Sequence, residues 1–268
     1  MAYIQITTVC NMSCAHCCMS CGKNYKGQHM DSWTFQHALD FCTEYGSSLT
    51  LGGGEPTLHP KFITYLAKAI DHCQSDGNGI VPWFATNGSN TEKTLELIRN
   101  SDYCEEEFFE KLCEEYWIEW IEESLFTMAV SQDQYHDPID SVVFDAAKIH
   151  NVEIRNTSEN IVKTGHANHG SEDRCCCDVL QIKPDGDIFM CGCDGAPRIG
   201  NVVTGLSLTC ELHELREMMD DHDCYRYLPK DRRDVITQNW YTSKEWVDKN
   251  IVVKKSKINH PETYRIGL

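Results

Sequence analysis

Cys10, Cys14 and Cys17 stand at C-x3-C-x2-C spacing within one short stretch, Thr8 to Cys21. Three thiolates on a single loop can converge on three irons of a [4Fe–4S] cube, because cysteine thiolate is the usual protein ligand of such clusters. The fourth iron then receives no ligand from the loop. An open coordination position marks a catalytic metal centre, by the logic that separates catalytic from structural zinc. Two other readings stand beside this one. Cys14 and Cys17 with Cys18 and Cys21 could supply part of a zinc site, and cysteines could pair as disulfides, although no apolar signal segment opens the chain.

A second chemical stretch is Gly52-Gly-Gly-Glu-Pro56, where three glycines before an acid permit close backbone approach to a ligand. An ordinary Gly-rich turn would look the same. Taken with the cysteine loop, however, it resembles the radical S-adenosylmethionine (radical SAM) superfamily. That resemblance implies that Cys10, Cys14 and Cys17 hold a [4Fe–4S] cluster whose fourth iron is chelated by the amino and carboxylate groups of S-adenosylmethionine (AdoMet). It implies that His16 lies near the adenine and that Gly53, Gly54, Glu55 and Pro56 bind the AdoMet amino group. Asn87, in Thr-Asn-Gly, would be a polar group near AdoMet and substrate, and Ser131 with Asp133 would sit beside the ribose. His136 could be a general acid or base, since its pKa lies near neutrality, or a packing histidine.

Parallel strands must deliver these groups. Ala2 to Thr8 alternates and is rich in β-formers, so it reads as a strand with the cysteine loop at its C-terminal end. Active loops at strand C-termini are the habit of parallel α/β barrels. Asp31 can cap a helix from Ser32 to about Tyr45 with one apolar stripe. A strand over Ser48–Leu51, a helix over Lys61–Cys73 and a strand over Ile80–Thr86 follow. Thr91–Arg99 reads as helix, Tyr103–Ser124 as an acidic amphipathic helix, and Leu125–Ser131 as a fourth strand. A helix over Ile139–His150 and a strand over Val152–Asn156 come next. Only Thr157–Asn160 separate that strand from the apolar Ile161–Ala167, too few residues for a crossover helix. Either the barrel is abbreviated or these two stretches are one bent strand; with the resemblance, the expected fold class is α/β, a partial, abbreviated parallel β/α barrel of the radical SAM type with a small Cys-rich β-hairpin extension. Gly165-His-Ala167 resembles the Gly-Arg-Ala that often closes such a barrel.

Three units are expected: residues 1–167 as the partial barrel, 168–224 as a Cys-rich region and 225–268 as a basic aromatic tail. Pro184-Asp-Gly-Asp187 between two alternating runs signals a hairpin. Cys177 and Cys191 then stand near the open ends of its arms. The region resembles SPASM or twitch domains, which implies an auxiliary [4Fe–4S] cluster with Cys176, Cys177, Cys191 and Cys193 as candidate ligands. A structural zinc ribbon is the alternative.

No run of 18 apolar residues appears, so no membrane span is expected, and a cytoplasmic location is the default. The formal charge is −17; residues 225–268 carry 10 Lys/Arg against 5 Asp/Glu, and their +5 leaves −22 for residues 1–224. Such an acidic body is a poor match for duplex nucleic acid. The expected function is reductive AdoMet cleavage to a 5′-deoxyadenosyl radical that abstracts hydrogen from a substrate, with a flavodoxin- or ferredoxin-like electron donor. A peptide or protein side chain is the first substrate class, and a small molecule such as a nucleoside, nucleotide or modified base the second. A non-catalytic Fe–S or zinc scaffold is the rival of another kind.

Overall fold

The computed structural model describes residues 2–44, 48–75, 80–113, 118, 124–156, 166, 179–189, 191, 192, 196 and 198–206. Strand β1, Ala2–Thr7, sends Ala2, Ile4 and Ile6 to one face, where they are fully buried, and Tyr3, Gln5 and Thr7 to the other. Helix α1, Ser32–Glu44, begins where expected: the Asp31 carboxylate accepts from the Thr34 N–H at 2.8 Å. β2 is Leu49–Gly53, extending two residues beyond the expected end and carrying two glycines into the sheet. After the single 3-10 turn Pro56–Leu58 comes α2, Phe62–Ser75, whose Phe62, Tyr65, Leu66, Ala69, Ile70 and Cys73 are buried at the predicted helical spacing.

β3 is only Trp83–Thr86. The expected start at Ile80 fails because Pro82 has no N–H for a ladder bond, and Ile80 is exposed. α3, Thr91–Asp102, is capped by Asn90, and α4, Glu106–Cys113, is the described part of the acidic amphipathic segment, with Phe108 and Leu112 buried. β4, Thr127–Ser131, α5, Ser141–Ile149 capped by Asp140, and β5, Glu153–Arg155, follow. The hairpin is present as β6, Leu180–Ile182, and β7, Asp187–Phe189, joined through Gly186 at φ +84°. β8, Arg198–Asn201, and β9, Gly205–Leu206, continue it. The Ile161–Ala167 stretch lies outside the described residues except His166, as do Cys175–Cys177 and residues 207–268.

The nine strands of the described residues form one sheet in the order β5-β4-β3-β2-β1-β6-β7-β8-β9, parallel from β5 to β6 and antiparallel beyond. The hairpin expected as an extension thus joins the main sheet directly: Ala2, Tyr3 and Ile4 pair with Leu180, Gln181 and Ile182. One face is apolar and packs on the helices, with Phe84 in ring contact with Phe62 and Phe126, and Phe35 stacked on Tyr65 at 4.0 Å. The other face is polar or small: Tyr3, Gln5, Thr50, Trp83, Ala85, Thr127, Ala129, Ser131, Arg155 and Gln181 share it by register. Six parallel strands in the order β5-β4-β3-β2-β1-β6, with helices on the apolar face, make the described sheet an abbreviated parallel β/α barrel.

The cap on α1 gives a simple check. Asp31→Ala removes the acceptor of an otherwise orphaned helix N–H and should lower stability by about 1 kcal/mol, read as a lower midpoint in thermal or urea unfolding.

Candidate functional site

The loop that leaves β1 runs against the end of β2 with no room for side chains between them. Gly54 donates its N–H to the Thr7 carbonyl at 2.8 Å, and Glu55 donates to the Val9 carbonyl at 2.8 Å. A Cβ on Gly54 would lie 2.4 Å from the Val9 oxygen and 2.9 Å from Cys10 Cβ. Glycine is demanded here by the approach of the cysteine loop itself.

Glu55 locks that approach. Its side chain is 1% exposed, and Oε1 accepts from the Thr57 N–H (3.1 Å), the Thr57 hydroxyl (2.6 Å) and the Thr86 hydroxyl (2.8 Å). Oε2 accepts from the Asn87 N–H at 2.7 Å. Burial pushes the Glu55 pKa up, opposed by these donors from Thr57, Asn87 and Thr86. The carboxylate is committed to joining the ends of β2 and β3, so the part of this segment left to meet a ligand is the Gly53–Gly54 backbone. Pro56 is buried and starts the 3-10 turn.

Asn87 carries the connection onward. Its Nδ2 donates to Asn11 Oδ1 at 3.0 Å and lies 3.9 Å from Cys10 Sγ, while Ser89 donates to its Oδ1. Cys10 Sγ also accepts from the Met12 N–H at 3.5 Å. Cys17 Sγ accepts from the Cys21 N–H at 3.3 Å, a return made possible by Ser20 at φ +53°. Cys10, Cys14, Cys17, Cys18 and Cys21 are all unbridged, so the disulfide reading does not hold within the loop.

The thiols of Cys10, Cys14 and Cys17 sense one another. Burial pushes Cys10 and Cys14 up, Cys14 to about 12, and neighbouring thiolates add to both shifts. Cys17 is lowered, first by the hydrogen bond from the Cys21 thiol, whose own pKa rises in exchange. Three part-exposed, unbridged cysteines on one loop fit the ligand set of an iron–sulfur centre, and the N–H···S bonds to Cys10 and Cys17 suit thiolate ligands.

At the end of β4 the polar residues form a different cluster from the one implied by motif alone. Asp133 is fully buried at its side chain, with Oδ2 3.3 Å from His16 Nε2 and Oδ1 2.9 Å from His136 Nδ1. The Tyr135 N–H also donates to Oδ1 at 2.9 Å. The His16 ring lies 5.0 Å from the rings of both Tyr135 and His136. Asp133 thus bridges the cysteine loop to the β4 loop, and Tyr135 joins a group that the motif did not include. Ser131 is half-buried beside it, paired with Arg155.

Cys10, Cys14, Cys17, His16, Gly53, Gly54, Glu55, Asn87, Ser131, Asp133 and His136 therefore gather at the C-terminal ends of four neighbouring parallel strands, β1 to β4. Cys191, at the far end of the hairpin, is buried; Cys176, Cys177 and Cys193 lie outside the described residues. No helix of the described residues is long and apolar enough to cross a membrane.

No family model matches the chain, and no curated protein does. Among solved structures, the chain is similar to BtrN in complex with AdoMet and 2-DOIA, at 17% identity and TM-score 0.49 over 75% of this chain and 77% of that one. A second BtrN structure, in an open conformation, matches at 15% identity and TM-score 0.42, over 77% and 76%. Streptococcus suis SuiB bound to S-adenosylmethionine matches at 14% identity and TM-score 0.33, over 71% and 59%.

The role of Glu55 can be measured without any ligand. Glu55→Gln puts an N–H donor among four donors and should cost about 1–3 kcal/mol of stability, whereas the exposed Glu107→Gln should change the unfolding midpoint little.

Proposed function

We propose that the protein is an AdoMet-dependent radical enzyme. The observation that supports this most directly is that the loop carrying Cys10, Cys14 and Cys17 leaves the end of β1 and is bonded through its backbone to Gly54 and Glu55 at the end of the adjacent parallel strand β2. Cys10, Cys14 and Cys17 would hold a [4Fe–4S] cluster. When bound, that cluster supplies the electron that splits the AdoMet sulfonium bond, giving a 5′-deoxyadenosyl radical that takes hydrogen from substrate.

The chain's own residues bind, orient and enclose. The Gly53–Gly54 backbone meets the AdoMet amino group, with Glu55 fixing that backbone rather than touching the ligand. Asn87 keeps Cys10 and Asn11 in register with β3. His16 and Tyr135 offer ring faces to an adenine, and Asp133 and Ser131 offer oxygens to a ribose. His136, whose Nδ1 faces Asp133, would accept or return a proton at Nε2. Positioning and exclusion of water are the protein's share of such chemistry.

For substrate, this reading carries forward a peptide or protein side chain, from the likeness of the second cysteine region to SPASM or twitch domains. A nucleoside, nucleotide or base is the alternative, resting on the basic 225–268 tail. An auxiliary cluster on Cys176, Cys177, Cys191 and Cys193, a flavodoxin- or ferredoxin-like electron donor and a cytoplasmic location complete the proposal.

Anaerobically reconstituted protein with AdoMet and dithionite should form 5′-deoxyadenosine, and Cys10→Ala should abolish it along with about four irons per chain. Equal deoxyadenosine from Cys10→Ala, or none from the parent, would sink the reading.

A further inference from the structure

Gly53 and Gly54 clear the backbone of β1 and of the loop that follows it, but the first glycine of the run, Gly52, faces a side chain instead. A Cβ at Gly52 would lie 2.1 Å from the Tyr3 hydroxyl oxygen and 2.2 Å from the ring carbon Cζ. Tyr3 stands opposite Thr50 in the β1–β2 pairing, so its side chain leans along the strands by two residue rises, roughly 7 Å, to cross Gly52. Only a residue without a side chain leaves room for that crossing.

The tyrosine ends on a backbone donor: Gly53 donates its N–H to the Tyr3 hydroxyl at 2.8 Å. The β1–β2 register slips between Gln5 and Thr7, opposite Gly52 and Gly53, and such a slip disrupts the regular ladder. The phenol supplies an acceptor at that slip.

The fate of each amide in this turn sets its chemical character. The N–H of Gly53 goes to Tyr3, that of Gly54 to the Thr7 carbonyl and that of Glu55 to the Val9 carbonyl. Pro56 has no N–H. A backbone whose donors are all occupied can offer a ligand only its carbonyl oxygens. Such oxygens accept from an amine and give nothing to a carboxylate. Gly54 and Glu55 rely on main-chain carbonyls, which any sequence would provide; Gly53 relies on one side-chain hydroxyl.

We propose that Tyr3 is a positioning residue for the amino group of AdoMet. Its hydroxyl holds the Gly53 peptide, so the segment presents acceptors and no donor. Without that hydroxyl, the Gly53 N–H would be a competing donor beside the incoming amine, on a residue whose backbone turns freely. That the ligand is AdoMet rests on the proposed function; the bond between Tyr3 and Gly53 does not.

Y3F keeps the ring and deletes the acceptor. In the ligand-free protein, hydrogen exchange at the Gly53 amide should accelerate about tenfold or more. With the cluster reconstituted, calorimetry should show AdoMet and S-adenosylhomocysteine bound about tenfold more weakly by Y3F, the scale expected for an amide left unmatched. The analogue of S-adenosylhomocysteine that keeps the carboxylate and lacks the amino group should bind the parent and Y3F within about twofold of each other. Iron content should equal the parent's. Unchanged exchange at Gly53, or unchanged AdoMet affinity, would overturn the proposal. An equal loss for the analogue without the amine would overturn it as well, since the hydroxyl would then support the site as a whole. So would a loss of iron, which would make Tyr3 a support of the cysteine loop. A parent that binds no AdoMet would defeat the proposed function and this role together, an outcome told apart from the others because it appears before any substitution.

Discussion

Two backbones touch where β1 and β2 end, and the rest of the upper structure depends on that contact. Thr7 and Val9 give their carbonyls to Gly54 and Glu55, and a methyl group on Gly54 would collide with Cys10. The cysteine loop is thereby fixed against the sheet by main-chain hydrogen bonds, which do not depend on side-chain rotamers. The proposed role for Cys10, Cys14 and Cys17 would gain from such support, because small misplacements at a reacting centre are costly.

Polar burial extends that contact sideways. Glu55 ties β2 to β3, Asn87 ties β3 back to Cys10 and Asn11, and Asp133 ties the β4 loop to His16. Each carboxylate is buried, which would be unfavourable alone, and each is surrounded by donors. The strand ends are joined by a chain of acceptors whose removal at any point would leave buried donors unmatched.

The cysteine spacing, the glycine run and the cap at Asp31 were legible in the sequence because each is local: its meaning lies within a few residues. The Pro184–Asp187 turn was legible for the same reason. What β6 would pair with was not, since its bond to β1 spans most of the described chain. The bond from Gly53 to the Tyr3 hydroxyl was likewise hidden, because it depends on β1 and β2 lying side by side. Glu55 shows a subtler limit. Motif placed it at the end of β2 beside the cysteine loop, but its use as a buried tie is decided by Thr57, Thr86 and Asn87, which no spacing rule links. Tyr135 was passed over because an aromatic residue in a loop carries no signal until its ring neighbours, His16 and His136, are known.

The parallel bond between β1 and β6 has a consequence for how the chain is made. Strand β1 meets β6, one of its two neighbours in the described sheet, only after more than 170 residues have followed it. Until then β1 has an open edge of unpaired N–H and C=O groups, the kind of template on which chains associate wrongly. Closing so long a loop is also slow relative to local pairing. Ordering of the cysteine loop is thus tied to completion of the β6–β7 hairpin, and a ribosome stalled before Leu180 would expose the strand that leads into the cysteines.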